Sequence, residues 1–403
     1  MKFRFLPRNR VCESSHLSPD TFTSEDIERI FERRFSTAAK VELLWKGKES
    51  FKRIFDTVKN ARQCLCLQFY LFRNDETGKE LAGILKEKSR QGVSVYVLYD
   101  HFGSFGTPRK FWNDMRDSGI RIRVSRPFHW LSPLRYVHRD HRKLIVIDTQ
   151  AAFTGGLNIA NEYSGFHFRR KEKAWRDTGI LLEGPIVSQM LMTFKKSWYA
   201  WGGDEFTVQG ADDISDREVS GGIAAIPLFV DSGKGRRRMR RLLYYSINHA
   251  RRSISLTTAY FTPSRRMVEA LEEAVRCGVS VRLLVPDRGD VPAASYAGRA
   301  FFSRLLKAGV EIYTYTGEIL HAKTFVFDEC WSIIGSTNLD FQSLRYNDEG
   351  NVGILDTGFT ARMSDIFAND VSHSNRLEKE QWNKRPFSEK VMERFFSLFR
   401  RRL

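Results

Sequence analysis

HRKLIVID, residues 141–148, sets a histidine and a lysine two positions apart at the head of a short aliphatic run that ends in aspartate. Leu144-Ile145-Val146-Ile147 is mostly β-branched and predicts a buried strand. Side chains alternate along a strand, so His141 and Lys143 would share one face, with Arg142, Leu144 and Val146 on the other. Alone, such a triplet is most often a solvated strand end. Six residues after Asp148, however, come Gly155-Gly156-Leu157-Asn158, and the whole pattern is H-x-K-x4-D-x6-G-G-x-N. HAKTFVFDECWSIIGSTN repeats it without a gap, at His321, Lys323, Asp328, Gly335, Ser336 and Asn338.

The two motifs sit inside a longer internal repeat. ARQCLCLQFYLF predicts a strand, GKELAGILKEKSRQ a helix ended by Gly92, and VSVYVLYD the next strand. The second half runs in parallel: RRSISLTTAYF, then SRRMVEALEEAVRC ended by Gly278, then VSVRLLV. Gly-Val-Ser-Val occurs at 92 and again at 278, and each half has a Gly-led strand (GIRIRV, GVEIYTY) before its motif. Strands alternating with helices imply an α/β sheet in each half, covered on both faces. The halves are expected at residues 41–203 and 222–357. A polar, Gly-rich linker (204–221) should join them, an N-terminal tail with one helix, SEDIERIFERRF, should precede them (1–40), and basic helices should follow (358–403). Two like halves pack naturally about a pseudo-twofold axis, which would gather both histidines, both lysines and both asparagines around one pocket.

The chain has 403 residues, 42% of them hydrophobic, enough for a substantial core. Lysine and arginine outnumber aspartate and glutamate by 65 to 48, a formal net charge of +17, which argues for an anionic partner: nucleic acid, a membrane surface or a phosphorylated substrate. The five cysteines (Cys12, Cys64, Cys66, Cys277, Cys330) are scattered and form no C-x-x-C pair, so a reducing, cytosolic setting is expected. No apolar run is long enough for a transmembrane helix and the N-terminus lacks the pattern of a secretory signal. Work on a membrane would then be done from its surface.

The doubled motif resembles that of the phospholipase D superfamily, and within it the chain most resembles bacterial cardiolipin synthases. The resemblance runs over nearly the whole chain from about Val41 and includes WRDTGILLEGP (175–185), TAYFTP (258–263) and GSTNLDFQSLRYNDEGNV of the second copy. It implies two phospholipase D-like α/β sandwich halves with one shared active site. Many synthases of this kind begin with two membrane-spanning helices; this chain is similar to the shorter, peripheral type. The implied reaction moves a phosphatidyl group from one phosphatidylglycerol to another and releases glycerol.

The residue chemistry agrees. A phosphodiester is anionic, so the charge of its transition state must be met by fixed donors. Lys143, Lys323, Asn158 and Asn338 can grip the non-bridging oxygens, and with that much positive charge no metal or other cofactor is required. One neutral imidazole can attack phosphorus, and the other, protonated, can serve the leaving alkoxide. The resemblance implies His141 as nucleophile and His321 as general acid/base, although the near-symmetry of the two copies leaves their order open. It also implies Glu349 and Asp177 as the acceptors that orient the histidines. Asp148 and Asp328 complete the candidate catalytic set, with a structural reading, bracing by ion pairs, beside the catalytic one. His138, three residues before His141, makes only a weak metal pattern.

Two stretches are candidates for contact with anionic lipid at the cytoplasmic face of a bacterial membrane. One is the aromatic, Pro- and Arg-bearing loop at 125–136. The other is SEKVMERFFSLFRRRL, which places Val391, Met392, Phe395, Phe396 and Phe399 on one helical side among basic residues. The alternatives are a hydrolase of the same superfamily, either a phospholipase D or a nuclease using the same two histidines, and a catalytically inactive lipid-binding protein. Nucleic acid is the less favoured partner, since no stacking platform accompanies the charge. A binding protein would have no need to keep His, Lys and Asn in both copies.

Overall fold

Aliphatic runs alternating with amphipathic stretches resolve into two sheets of like topology in a computed structural model that describes residues 21–128, 137–165, 174–206, 208 and 221–400. In chain order the first strands are β1 (Ser36–Ala38), β2 (Lys40–Leu44), β3 (Cys64–Phe69), β4 (Ser94–Asp100), β5 (Arg121–Ser125), β6 (Leu144–Ile147), β7 (Ala151–Gly155) and β8 (Gly179–Glu183). The remainder are β9 (Ile223–Pro227), β10 (Ser253–Thr257), β11 (Ser280–Pro286), β12 (Glu311–Tyr315), β13 (Thr324–Phe327), β14 (Trp331–Gly335), β15 (Asn351–Leu355) and β16 (Ser374–Arg376). One sheet has the order β2-β8-β7-β6-β3-β4-β5 and the other β1-β9-β15-β14-β13-β10-β11-β12-β16. Without the edge strands β1 and β16 the two orders are the same, position for position. The expected pair of α/β halves is therefore the observed fold.

Within each half the three strands ahead of the motif strand are parallel, and helices join them: Glu76–Arg90 and Arg109–Asp117 in the first, Arg265–Arg276 and Phe302–Ala308 in the second. The repeated Gly-Val-Ser-Val has a backbone cause. Gly92 and Gly278 sit at φ of +88° and +81°, the left-handed conformation that ends a helix and turns the chain into β4 and β11.

Alternation along the motif strands divides the core. Ile145 and Ile147 face outward onto the helices of the first half, and Phe325 and Phe327 do the same in the second. Leu144, Val146 and Val326 face inward, into a core shared by the two sheets and the helices Ile186–Ala200 and Thr357–Ser372, which contribute Phe194, Trp198, Phe359 and Met363. Burial on both faces explains the unbroken aliphatic runs.

Several boundaries differ from those expected. The N-terminal helix is Ser24–Phe31, and its Ile27 and Phe31 pack into the outer core of the second half, where β1 also joins the sheet by pairing with β9. The described part of the tail is thus built into the second half. The helix Thr357–Ser372 is the second half's counterpart of Ile186–Ala200, so that half extends past 357. A strand, β16, follows it and pairs with β12, so the C-terminal stretch is not wholly helical. Of the expected linker, Phe206 packs into the shared core, while most of 207–220 lies outside the described residues. The 125–136 loop is likewise mostly outside them. Cys64, Cys66 and Cys330 are free thiols.

The motif strands are also shorter than expected: they begin at Leu144 and Thr324, so His141, Lys143, His321 and Lys323 stand just ahead of them. The motif aspartates stand at the far end. Asp148-Thr149 and Asp328-Glu329 have φ of 50°, 57°, 50° and 58°, and so form the tight turns that lead into β7 and β14. The Asp148 carboxylate accepts the backbone N–H of Arg62 (2.5 Å), Gln63 (2.8 Å) and Cys64 (2.8 Å). Asp328 accepts those of Arg251 (2.7 Å), Arg252 (2.7 Å) and Ser253 (2.9 Å). A four-residue strand, about 13 Å long, separates each from its histidine. Asp148 and Asp328 thus lie away from the histidines and brace the fold, through backbone amides and left-handed turns where ion pairs were expected as the means. Asp148→Ala should therefore lower unfolding free energy by about 2–4 kcal/mol, since charged acceptors of backbone N–H are lost together. Urea unfolding checks this, and turnover per folded molecule should be retained.

Candidate active site

The two motif heads meet where short backbone pairings cross from one half to the other. Asp140 bridges Asp348, and Arg176 bridges Leu320. His141 N–H donates to the Asp348 carbonyl at 2.8 Å, and His321 N–H to the Arg176 carbonyl at 2.8 Å. The residue after each of those carbonyls is an acid, and it reaches the same histidine's ring. His141 Nδ1 lies 3.1 Å from Glu349 Oε2, and His321 Nδ1 lies 2.7 Å from Asp177 Oδ2. The acids are thus exchanged: the first half's histidine is held by the second half's glutamate, and the second half's histidine by the first half's aspartate. This arrangement fixes Nδ1 as the nitrogen facing the acid and leaves Nε2 for chemistry.

The supports beneath the acids differ. Gly156 leaves room for Asp177, since a Cβ there would lie 2.0 Å from Asp177 Oδ1. In the second half the equivalent residue is Ser336, whose hydroxyl donates to the same Glu349 Oε2 that faces His141. Asp177 Oδ1 accepts the Thr178 N–H at 2.7 Å, and Lys323 Nζ lies 3.6 Å from Oδ2. Glu349 Oε1 is buried with no hydrogen-bond partner among the described residues. Burial pushes the Glu349 carboxyl up to about 7 against the pull of Lys143. Burial acts on Asp177 too, but Lys323 and His321 outweigh it and hold that carboxyl below its usual range. Two acids in equivalent positions therefore differ in charge near neutrality.

The expected phosphate-gripping groups converge here. Lys143 Nζ donates to the His141 carbonyl at 2.7 Å and stands 5.4 Å from the Tyr70 ring centre; Lys323 Nζ donates to the His321 carbonyl. Both lysines are buried, and burial lowers both ammoniums, that of Lys143 to about 7. Asn158 Oδ1 accepts the Leu71 N–H (3.3 Å) and Asn338 Oδ1 the Tyr260 N–H (3.3 Å), so each amide is fixed against its own half's β3 or β10 strand end. Burial, then the charges of Lys143, Lys323 and His321, push the His141 imidazole well below its ordinary 6.5. Burial and Lys323 lower His321, with Asp177 pulling part of the way back. A neutral imidazole held by its acid is a competent nucleophile, and the other, beside an ionised aspartate, is the better proton carrier.

Three layers were not read from sequence. Tyr70 and Tyr260 stand edge-on to His141 and His321 at 4.9 and 6.1 Å between ring centres. Arg142 forks onto the buried Asp140 and reaches Ser197, while Arg126 and Arg236 hold the side chain of Asp348. Arg176 pairs with Asp370 at 2.7 Å. The available signal was that both acids follow a charged residue, Arg176-Asp177 and Asp348-Glu349. His138 Nδ1 faces the Tyr346 carbonyl at 2.8 Å.

The family described as cardiolipin synthase, PLD-like domain, matches residues 54–198 and 243–371, one segment in each half. A cardiolipin synthase of Geobacillus thermodenitrificans (strain NG80-2) is 33% identical over 382 residues, covering 91% of this chain and 72% of the relative. Cardiolipin synthase 2 of Bacillus anthracis is 31% identical over 383 residues, covering 92% and 72%. Among solved structures, a phosphatidylserine synthase of Haemophilus influenzae Rd KW20 superposes with a TM-score of 0.73 at 15% identity, covering 94% of this chain and 100% of that one; it supports the fold.

In the free protein kcat/KM should require neutral His141 and charged Lys143. Its acid limb should therefore fall below pH 6.5. Because a leaving alkoxide would need the His321 proton, which burial also loosens, the alkaline fall should begin with His321 and be steepened near pH 7 by loss of the Lys143 charge. A pH profile of wild type and Lys143→Arg checks this: arginine stays charged, so its residual activity should keep the His321 limb and lose only the added fall near pH 7.

Proposed function

The chain belongs to the PLD-like cardiolipin synthase family, and from that premise we propose that it transfers a phosphatidyl group between two phosphatidylglycerol molecules, releasing glycerol. The observation that carries the reading is the exchanged pair of histidine–acid contacts, with an ammonium bonded to the backbone carbonyl of each histidine.

His141 Nε2 attacks phosphorus, forming a P–N bond as the P–O bond to the headgroup glycerol breaks. The leaving alkoxide takes a proton from His321, and glycerol departs. His321, now neutral, accepts the proton of the second phosphatidylglycerol's headgroup hydroxyl. That oxygen attacks phosphorus and the P–N bond breaks, giving cardiolipin and restoring both imidazoles. Lys143, Lys323 and the Asn158 and Asn338 amides balance charge on the non-bridging oxygens through both steps. Glu349 keeps the nucleophile's tautomer, and the ionised Asp177 supports the proton on His321 before the first step and as it returns in the second. A covalent intermediate divides one difficult displacement into two.

The lipid substrates are held in a membrane, and the C-terminal helix Phe387–Leu398 supports attachment from its surface. No helix among the described residues is long and apolar enough to cross a bilayer. That helix docks on Pro292–Arg299 through Glu389 and Glu393, which pair with Arg299, and through Phe396 on Tyr296. Phe387, Val391, Met392, Phe395, Leu398 and Phe399 remain exposed, among Lys390, Arg394 and Arg400. An apolar stripe flanked by basic residues suits the headgroup region of an anionic bilayer.

Purified protein on phosphatidylglycerol vesicles, with chelator, should yield cardiolipin and glycerol in equal amounts; phosphatidic acid with glycerol would instead make water the acceptor. His141→Ala and His321→Ala should each reduce turnover by at least about a thousandfold with the melting curve unchanged. His321→Ala should still accumulate a phosphatidyl group on His141 when the leaving alcohol is activated, detectable by mass spectrometry. Truncation from Ser388 should weaken vesicle flotation more than turnover of detergent-dispersed lipid.

A further inference from the structure

The loop after β4, His101 to Thr107, is pinned at its base and carries two exposed rings, with the Arg139 guanidinium 5.8 Å from the centre of one, Phe102. Asp100 accepts the N–H of Phe102 (2.9 Å) and Gly103 (3.1 Å). The Ser104 hydroxyl donates to the Tyr70 carbonyl (3.1 Å) and accepts the Phe72 N–H (3.1 Å), and the Thr107 hydroxyl donates to the Phe72 carbonyl (2.5 Å). Gly103 presses on the strand end so closely that a Cβ would lie 2.2 Å from the Tyr70 carbonyl oxygen. Yet Phe102 is 54% exposed and Phe105 76%. A floppy loop could fold such rings away; this one holds them out.

Its place in the fold gives the exposure a direction. The loop rests on Tyr70, and Tyr70 stands against His141. In the second half the equivalent segment follows β11. There Asp290 accepts the Tyr260 hydroxyl (2.7 Å), Tyr260 stands against His321, and the next residue, Val291, is 38% exposed and leads into the helix that carries the C-terminal one. Each histidine is thus bordered by a tyrosine, each tyrosine by a post-strand segment, and each segment by exposed apolar side chains. Basic residues accompany both patches: Arg73, Arg109 and Lys110 beside the loop, Lys390 and Arg394 on the helix.

We infer that the Phe102–Phe105 loop is a lipid-surface contact of the first half, paired with the C-terminal helix of the second, so that two apolar feet straddle the mouth of the active site and press it to an anionic bilayer. The inference rests on the transferase reading for its orientation, but surface binding itself does not need turnover. Two phenylalanines entering the headgroup boundary supply apolar burial, the flanking cations supply attraction to anionic lipid, and a pinned loop avoids the ordering cost a mobile one would meet.

The test is flotation with vesicles of phosphatidylglycerol and phosphatidylcholine, comparing wild type with Phe102→Ser/Phe105→Ser. Partitioning should fall at least about tenfold, and cardiolipin formation on vesicles should fall further than formation from detergent-dispersed lipid. Unchanged flotation would overturn the inference, as would loss of a dimer in the double variant with flotation intact, which would make the loop a contact between copies of this chain. Phe105→Trp gives a reading that does not depend on how the serine variant folds. Its added fluorescence should be quenched by brominated lipid in the vesicle, and absence of quenching would also overturn the proposal. Should wild type bind vesicles but form no cardiolipin, the activity reading fails and the flotation result still decides the surface.

Discussion

Everything in the site depends on hydrogen bonds that cross between the halves. A histidine's ring and its backbone N–H are both taken by two adjacent residues of the opposite repeat, 208 positions away for Glu349 and 144 for Asp177. An imidazole held at two points has little rotational freedom, so Nε2 is aimed before substrate arrives. The constraint then propagates outward. The carbonyls that receive the histidine N–H belong to Asp348 and Arg176, and both side chains are locked by buried ion pairs, with Arg126 and Arg236 in one case and Asp370 in the other. The shared core of Leu144, Val146, Val326 and the two inner helices keeps the sheets in the register that these bonds need.

Burying two lysines, two histidines and two acids in one place is costly unless each charge has a neighbour. The site meets that condition unevenly. Asp177 is satisfied on both oxygens and stays ionised, whereas Glu349 shares one oxygen between His141 and Ser336 and has no partner on the other among the described residues, and burial makes its proton bind more tightly. The unevenness is useful, because a reaction that uses one imidazole as nucleophile and the other as proton carrier needs unlike histidines. Two residue differences between the repeats accompany the divergence, aspartate against glutamate at the acid itself and Gly156 against Ser336 beneath it.

Much of this was legible in the sequence. The period of the apolar runs, the duplicated Gly-Val-Ser-Val and the doubled motif pointed to the two halves and to the six polar residues of the pocket. The exchange of acids was not legible, since residue spacing within one repeat carries no record of which half a side chain will face. How the motif aspartates act was hidden for a related reason. Asp148 and Asp328 keep their spacing because a left-handed turn and three backbone amides require it, and constancy of spacing looks the same whether chemistry or folding imposes it. The end of the second half was misplaced because the helix Thr357–Ser372 and the later basic helices form one polar, helix-prone stretch in sequence, while only the first packs between the sheets.

The exchanged acids also bear on how such a duplicated chain can change over time. A drift at Glu349 is felt by His141, in the other repeat, and a drift at Asp177 is felt by His321. Paired substitutions among descendants of this gene should therefore link residues across repeats and leave the acid and histidine of a single repeat independent. Each copy is the custodian of the other's reactivity, so neither can be lost, shuffled or replaced as a unit.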